Sequence, residues 1–115
     1  LVALARRLAT EFSGVVALGC VIRGETEHDR YIASAVATGL AMISVQTGVP
    51  VTFGVLTVET VAQAMERAGG SKGNKGSDAM DALLDVLVVT QRLQAGPWEG
   101  RITAGRLPAD KAGGA

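Results

Sequence analysis

Aromatic side chains are scarce in this chain: Phe12, Tyr31, Phe53 and Trp98 make up 3% of its 115 residues. Cysteine and histidine are scarcer still, with one Cys20 and one His28. A single thiol excludes a disulfide framework, and its place inside an apolar stretch predicts a buried thiol in a reducing compartment, the cytoplasm. One Cys and one His also leave the usual zinc ligand sets out of reach. Net charge is missing too, since eleven basic and eleven acidic residues cancel. No long-range field then recruits nucleic acid or an anionic membrane, and any anion site must be local. No apolar run approaches the roughly 20 residues that cross a bilayer, and no basic-then-apolar leader is evident, so neither anchoring nor export is indicated. The chain begins at Leu1 without an initiator Met and already in a helical apolar rhythm at Leu1, Leu4, Ala5 and Leu8. That start leads us to expect an upstream segment.

An apolar fraction of 48% is ample for the core of one domain. The run Val15 to Ile22 is short and β-branched, and Gly24 bounds it, so it predicts a strand covered on both faces. Thr26 followed three residues on by Asp29 resembles a capping box, which predicts a helix from about Glu27 to Val45 with Ile32, Ala35, Val36, Gly39, Leu40 and Ile43 inward. Gly48 and Pro50 stop it. Val51 to Leu56 predicts a second strand, and Thr57 a cap for a helix whose apolar set is Val58, Val61, Ala62, Met65 and Ala68, ended by Gly69 and Gly70. Asn74 or Ser77 then opens a last helix to about Leu93, with Met80, Leu83, Leu84 and Leu87 on one face and Ala79, Ala82, Val86 and Val89 on another. Helices alternating with strands predict an α/β layer with parallel strands. Two strands are too few to hide their edges, so the sheet needs further strands from upstream chain or a partner subunit. Residues 1–93 form the domain, and 94–115, rich in Gly, Pro and Ala, read as a flexible tail.

The chemistry gathers where the first strand meets the helix after it. Backbone N–H groups around Gly24, Glu25 and Thr26 would point away from the strand's carboxyl end, and a helix N-terminus there favours phosphate or carboxylate. His28 falls in that first turn, where an imidazole can accept and return a proton. A lone His in a first turn also reads as a plain surface residue. A second polar cluster runs from Glu66 to Asp78, with Arg67, Lys72 and Lys75 among glycines. No register in it fits a P-loop, because five positions after Gly69 stands Asn74 and five after Gly70 stands Lys75. A plain solvated Gly-rich loop is the simpler account of it, although Arg67 at a helix end is able to grip an anion bidentately. Cys20 has no evident base beside it and is a poor nucleophile. Phe53 reads either as core or as a face offered to a planar ligand.

Taken in order, VVALGCVIRGETEH, VPVTFGVLTVET and QAMERAGGSKGNKGSDAM resemble the lumazine synthase family, over about residues 1 to 93. The resemblance implies a flavodoxin-like, three-layer α/β/α sandwich around a parallel sheet, of which this chain holds only part. It implies condensation of 5-amino-6-(ribitylamino)pyrimidinedione with 3,4-dihydroxy-2-butanone 4-phosphate to 6,7-dimethyl-8-ribityllumazine in riboflavin biosynthesis, with phosphate and water released and neither metal nor cofactor involved. By the same resemblance Gly24, Glu25 and Thr26 hold the phosphate, Arg67 adds the charge pair and His28 transfers protons. Val21 and Ile22 meet the pyrimidine through backbone groups, and Phe53 is the aromatic lent to the heterocycle by a neighbouring subunit. Lys75 and Asp78 match a pair near the phosphate arginine.

The chain departs from the family's pattern at several places. Asp29 stands where an aromatic often follows the histidine, Lys72 where a His is frequent, and Asp78 where Glu is more usual. The family's first strands, the aromatic that stacks on the pyrimidine and the turn that grips the ribityl chain all precede the point matching Leu1. The resemblance therefore predicts that this stretch alone is poorly stable and inactive, and that the complete product is an active homo-oligomer, a pentamer or multiples up to an icosahedral capsid. The alternative is a shell-forming or flavin- or lumazine-binding homologue with weak catalysis.

Overall fold

In the computed structural model, residues 1–95 are described. The expected tail lies outside them except for Gln94 and Ala95. Eight elements follow in order: α1 (Val2–Leu8), β1 (Val15–Ile22), α2 (His28–Thr47), β2 (Val51–Val58), α3 (Val61–Arg67), β3 (Ala68–Gly70), β4 (Gly73–Asn74) and α4 (Lys75–Gln94). β1 and β2 pair in parallel along their whole length, from Val15↔Val51 to Ile22↔Val58. The α/β class with a parallel sheet is as the sequence predicts, and β1 has the predicted bounds.

Strand alternation sorts the side chains between two helix layers. Val15, Ala17 and Val51 meet α1 and α2 in a core of Ala5, Ala9, Leu40 and Ile43, flanked by Val2, Leu8 and Val36. On the other face Thr52 donates its hydroxyl to the Ala79 carbonyl at 2.9 Å, and α4 packs across β2. The seat for α4 is Gly54, where a Cβ would stand 2.6 Å from Leu18 Cδ2 and 3.0 Å from Ala79 Cβ. We expect Gly54→Val to push α4 off the strand and cost about 1–3 kcal/mol, read as a lowered denaturant midpoint. Gly48 ends α2 in the left-handed region at φ 72°, donating to the Ser44 carbonyl at 2.9 Å.

Several expectations need correction. Thr26 does not cap α2: the N-cap is Glu27, whose side chain makes no capping bond, and the helix opens at His28. β2 runs on through Thr57 and Val58, because both are β-branched and pair with Val21 and Ile22, so the cap of α3 is Thr60, accepting from the Gln63 amide at 3.1 Å. Val58 is buried as a strand residue while Val61 and Met65 are 62% and 67% exposed, so α3 does not present the expected apolar face. The stretch after α3 is no simple loop, since β3 and β4 form an antiparallel hairpin whose Gly69 and Gly73 take φ of 115° and 85°. α4 buries only Ala79 and Leu83, leaving Met80, Leu84, Val86 and Val89 exposed, and on α2 Ile32 and Ala35 are exposed too. Cys20 is exposed rather than buried, and Leu18 is 57% exposed. A two-stranded sheet presents too little surface to cover these helices, and the carboxyl half of β1 lacks cover in turn.

Candidate active site

The carboxyl end of the sheet is closed by Arg23. Its amide donates to the Val58 carbonyl at 2.8 Å, extending the ladder by one residue, and its guanidinium lies 3.4 Å from the Glu59 carboxylate. From there the chain turns through Gly24, Glu25 and Thr26, all exposed, into α2, where His28 is exposed as the first helical residue. Because no side chain caps this helix, the amides of its first turn keep donor capacity that a capped helix would have used. Val21 is half-buried and Ile22 is 42% exposed at the end of β1.

Beside this turn lies an open cleft of about 410 Å³ lined by Arg23, Glu27, Asp29, Arg30, Thr57, Val58 and Glu59. Asp29 Oδ1 is buried there without a hydrogen-bond partner among the described residues. Asp29, expected to complete a capping box, does not do so.

A second cleft, of about 380 Å³, is lined by Phe53, Gly54, Val55, Lys75, Asp78, Ala79 and Ala82. It forms because α4 crosses β2 at Gly54, which sets Lys75 and Asp78, paired at 3.5 Å, against Phe53, which is 42% exposed. The hairpin puts Arg67 at the same end of α4, since Ala68 pairs with Asn74 and the residues flanking that pair are Arg67 and Lys75. Arg67 Nη1 donates to the Gln63 carbonyl at 3.2 Å and lies 3.8 Å from Glu66.

The candidate residues thus fall into two groups. Val21, Ile22, Gly24, Glu25, Thr26 and His28 belong to the carboxyl end of the sheet. Phe53 of β2 faces Lys75 and Asp78 at the start of α4 across the second cleft, and Arg67 ends α3 just before the hairpin that leads into α4. Phe53 pairs with Ala17, five ladder steps back from Ile22, or about 17 Å along the strand. Neither cleft joins the two groups within the chain. Arg23, Glu59 and Gln63 were missed as candidates. Thr60 and Gln63 stand in the T-x-x-Q spacing of a capping box and were findable by it.

Fold and site define an α/β protein with a polar cleft at the carboxyl ends of parallel strands, where α/β sheets place ligands. Residues 1–91 match the family model of 6,7-dimethyl-8-ribityllumazine synthase. A protein of that name from Lawsonia intracellularis is 49% identical over 86 residues, 75% of this chain and 55% of that protein. One from Lactiplantibacillus plantarum is 50% identical over 82 residues, 71% of this chain and 52% of its own length. The chain belongs to the 6,7-dimethyl-8-ribityllumazine synthase family. It spans about half the length of the curated relatives it matches.

Proposed function

We propose that the complete protein is a 6,7-dimethyl-8-ribityllumazine synthase. It condenses 5-amino-6-(ribitylamino)pyrimidinedione with 3,4-dihydroxy-2-butanone 4-phosphate, releasing phosphate and water, as a homo-oligomer in the cytoplasm. The observation that carries this reading is the exposed His28 at a helix start without a side-chain cap, two residues after the Gly24 to Thr26 turn. The turn's amides and the Thr26 hydroxyl receive the phosphate, and Val21 and Ile22 offer backbone groups to the pyrimidine. His28 carries protons as the amine adds to the ketone and as phosphate departs. No helix among the described residues is long and apolar enough to cross a membrane.

The second group of residues acts on a neighbouring copy. Phe53, Lys75 and Asp78 line one cleft, five ladder steps from the end of β1 that leads to His28, so the working site pairs one copy's turn with another copy's Phe53 group, to which Arg67 is assigned by its place before the hairpin that leads into α4. Arg67 then faces the phosphate across the contact and Phe53 lies against the heterocycle. Exposed apolar side chains such as Leu18, Met80 and Leu84 support burial between copies.

Incubating the complete protein with both substrates tests the reading, through lumazine fluorescence and stoichiometric phosphate release. Binding of a ribityl-pyrimidine analogue without lumazine formation would instead favour a storage or shell protein. We expect Arg67→Ala to raise the KM of the phosphorylated ketone about 10- to 100-fold, the worth of a charge-assisted bond, while leaving the pyrimidine KM near its original value.

A further inference from the structure

The turn that precedes His28 and the helix that ends in Arg67 are joined by a continuous line of polar contacts. Arg23, the residue before Gly24, holds Glu59 at 3.4 Å through its guanidinium. The Glu59 amide donates to Gln63 Oε1 at 2.8 Å, and the Gln63 amide donates to Thr60 Oγ1 at 3.1 Å. The Gln63 carbonyl accepts from Arg67 Nη1 at 3.2 Å. We propose that Glu59 and Gln63 are positioning residues for phosphate binding, Glu59 setting the Gly24–Thr26 turn through Arg23 and Gln63 setting the Arg67 side chain. This rests on the synthase reading above.

The physical case turns on how short α3 is. Seven residues make barely two turns, far below the length at which a helix holds itself in water, so its end caps decide whether it forms in one place. Two capping bonds meet at Gln63: its main-chain amide donates to the Thr60 hydroxyl oxygen, and its side-chain Oε1 accepts from the Glu59 amide, the bond that Gln63→Ala removes. The last residue of that helix is Arg67, so an unfastened first turn lets the guanidinium wander relative to β2. At the other end, the Arg23–Glu59 pair is exposed and contributes little to global stability. Its effect is local: it ties the side chain just before the turn to the residue just after β2, across the last rung of the ladder. Neither Glu59 nor Gln63 is required to touch substrate for this role.

The test uses the complete protein with three variants, Gln63→Ala, Glu59→Ala and the conservative Gln63→Glu, whose carboxylate still accepts from the Glu59 amide. Two readouts are taken: steady-state KM for each substrate separately, and the Kd of inorganic phosphate by calorimetric titration. We expect Gln63→Ala and Glu59→Ala each to raise the KM of the phosphorylated ketone and the phosphate Kd roughly three- to tenfold. The kcat and the pyrimidine KM should change by less than about twofold, and Gln63→Glu should restore most of the loss. An unchanged phosphate Kd in both alanine variants overturns the proposal. So does equal damage to both KM values and kcat that Gln63→Glu fails to repair, which marks a merely structural role. If the wild-type protein binds phosphate in a Gln63-dependent way yet makes no lumazine, the positioning role stands and the synthase reading falls.

Discussion

His28→Ala in the complete protein is expected to lower kcat about a hundredfold or more, the usual worth of a positioned proton-transfer group. The fold should survive the change. His28 is exposed, opens α2 and belongs to neither core cluster nor cap, so the denaturation midpoint should shift by no more than about 0.5 kcal/mol equivalent. The KM of the phosphorylated ketone should move little, because the turn amides, Thr26 and Arg67 remain to bind phosphate. A kcat unchanged by the substitution, in a protein that makes lumazine, removes His28 from the chemistry and leaves the turn as a binding element only.

The second large effect falls on stability and reaches the same helix. Leu40, three turns along α2 from His28, is 1% exposed and is the largest fully buried side chain among the described residues. Three of the other buried residues of its core are alanines, Ala5, Ala9 and Ala17, so repacking of Ile43 and Leu8 refills only part of the space Leu40 leaves. Leu40→Ala is expected to cost about 2–5 kcal/mol, a large part of the roughly 5–15 kcal/mol that holds an ordinary domain folded. Denaturant titration at fixed protein concentration reads it, since assembly also contributes to the apparent stability. Because α2 carries His28 at its first residue, activity should fall with the folded fraction. A loss below about 1 kcal/mol would mean that this core is not the main support of α2.

How far these features were legible in the sequence depended on whether their cause was local. β1 was read with its bounds because a β-branched run ended by an Arg–Gly step needs no distant partner to be recognised. Gly48 as the stop of α2 was likewise a local signal and appears, and of the two starts offered for α4, Asn74 and Ser77, Asn74 is the cap and accepts from the Ser77 amide. Thr57 and Thr60 offered the same chemistry three residues apart, and ladder pairing with Val21 decided between them. The short hairpin of Ala68–Gly70 and Gly73–Asn74 has no periodicity to detect. Cys20 misled because an apolar neighbourhood in sequence promises burial only if something covers that face, and nothing among the described residues does so. The candidate site divides along the same line. Gly24 to His28 are contiguous and could be read together, whereas the cleft of Phe53, Lys75 and Asp78 exists only because α4 crosses Gly54.

The most direct measurement of a synthase site shared between two copies is complementation. His28→Ala and Arg67→Ala proteins, each impaired alone, are dissociated, mixed in equal amounts and reassembled, then assayed with the phosphorylated ketone well below the KM of the Arg67→Ala protein. If one copy supplies the turn and His28 and its neighbour supplies Arg67, random mixing makes about a quarter of the sites intact, and lumazine formation returns to that fraction of the wild-type rate. If both groups act within one chain, no mixed assembly contains an intact site. Activity no higher than the average of the two separate variants would then contradict the account.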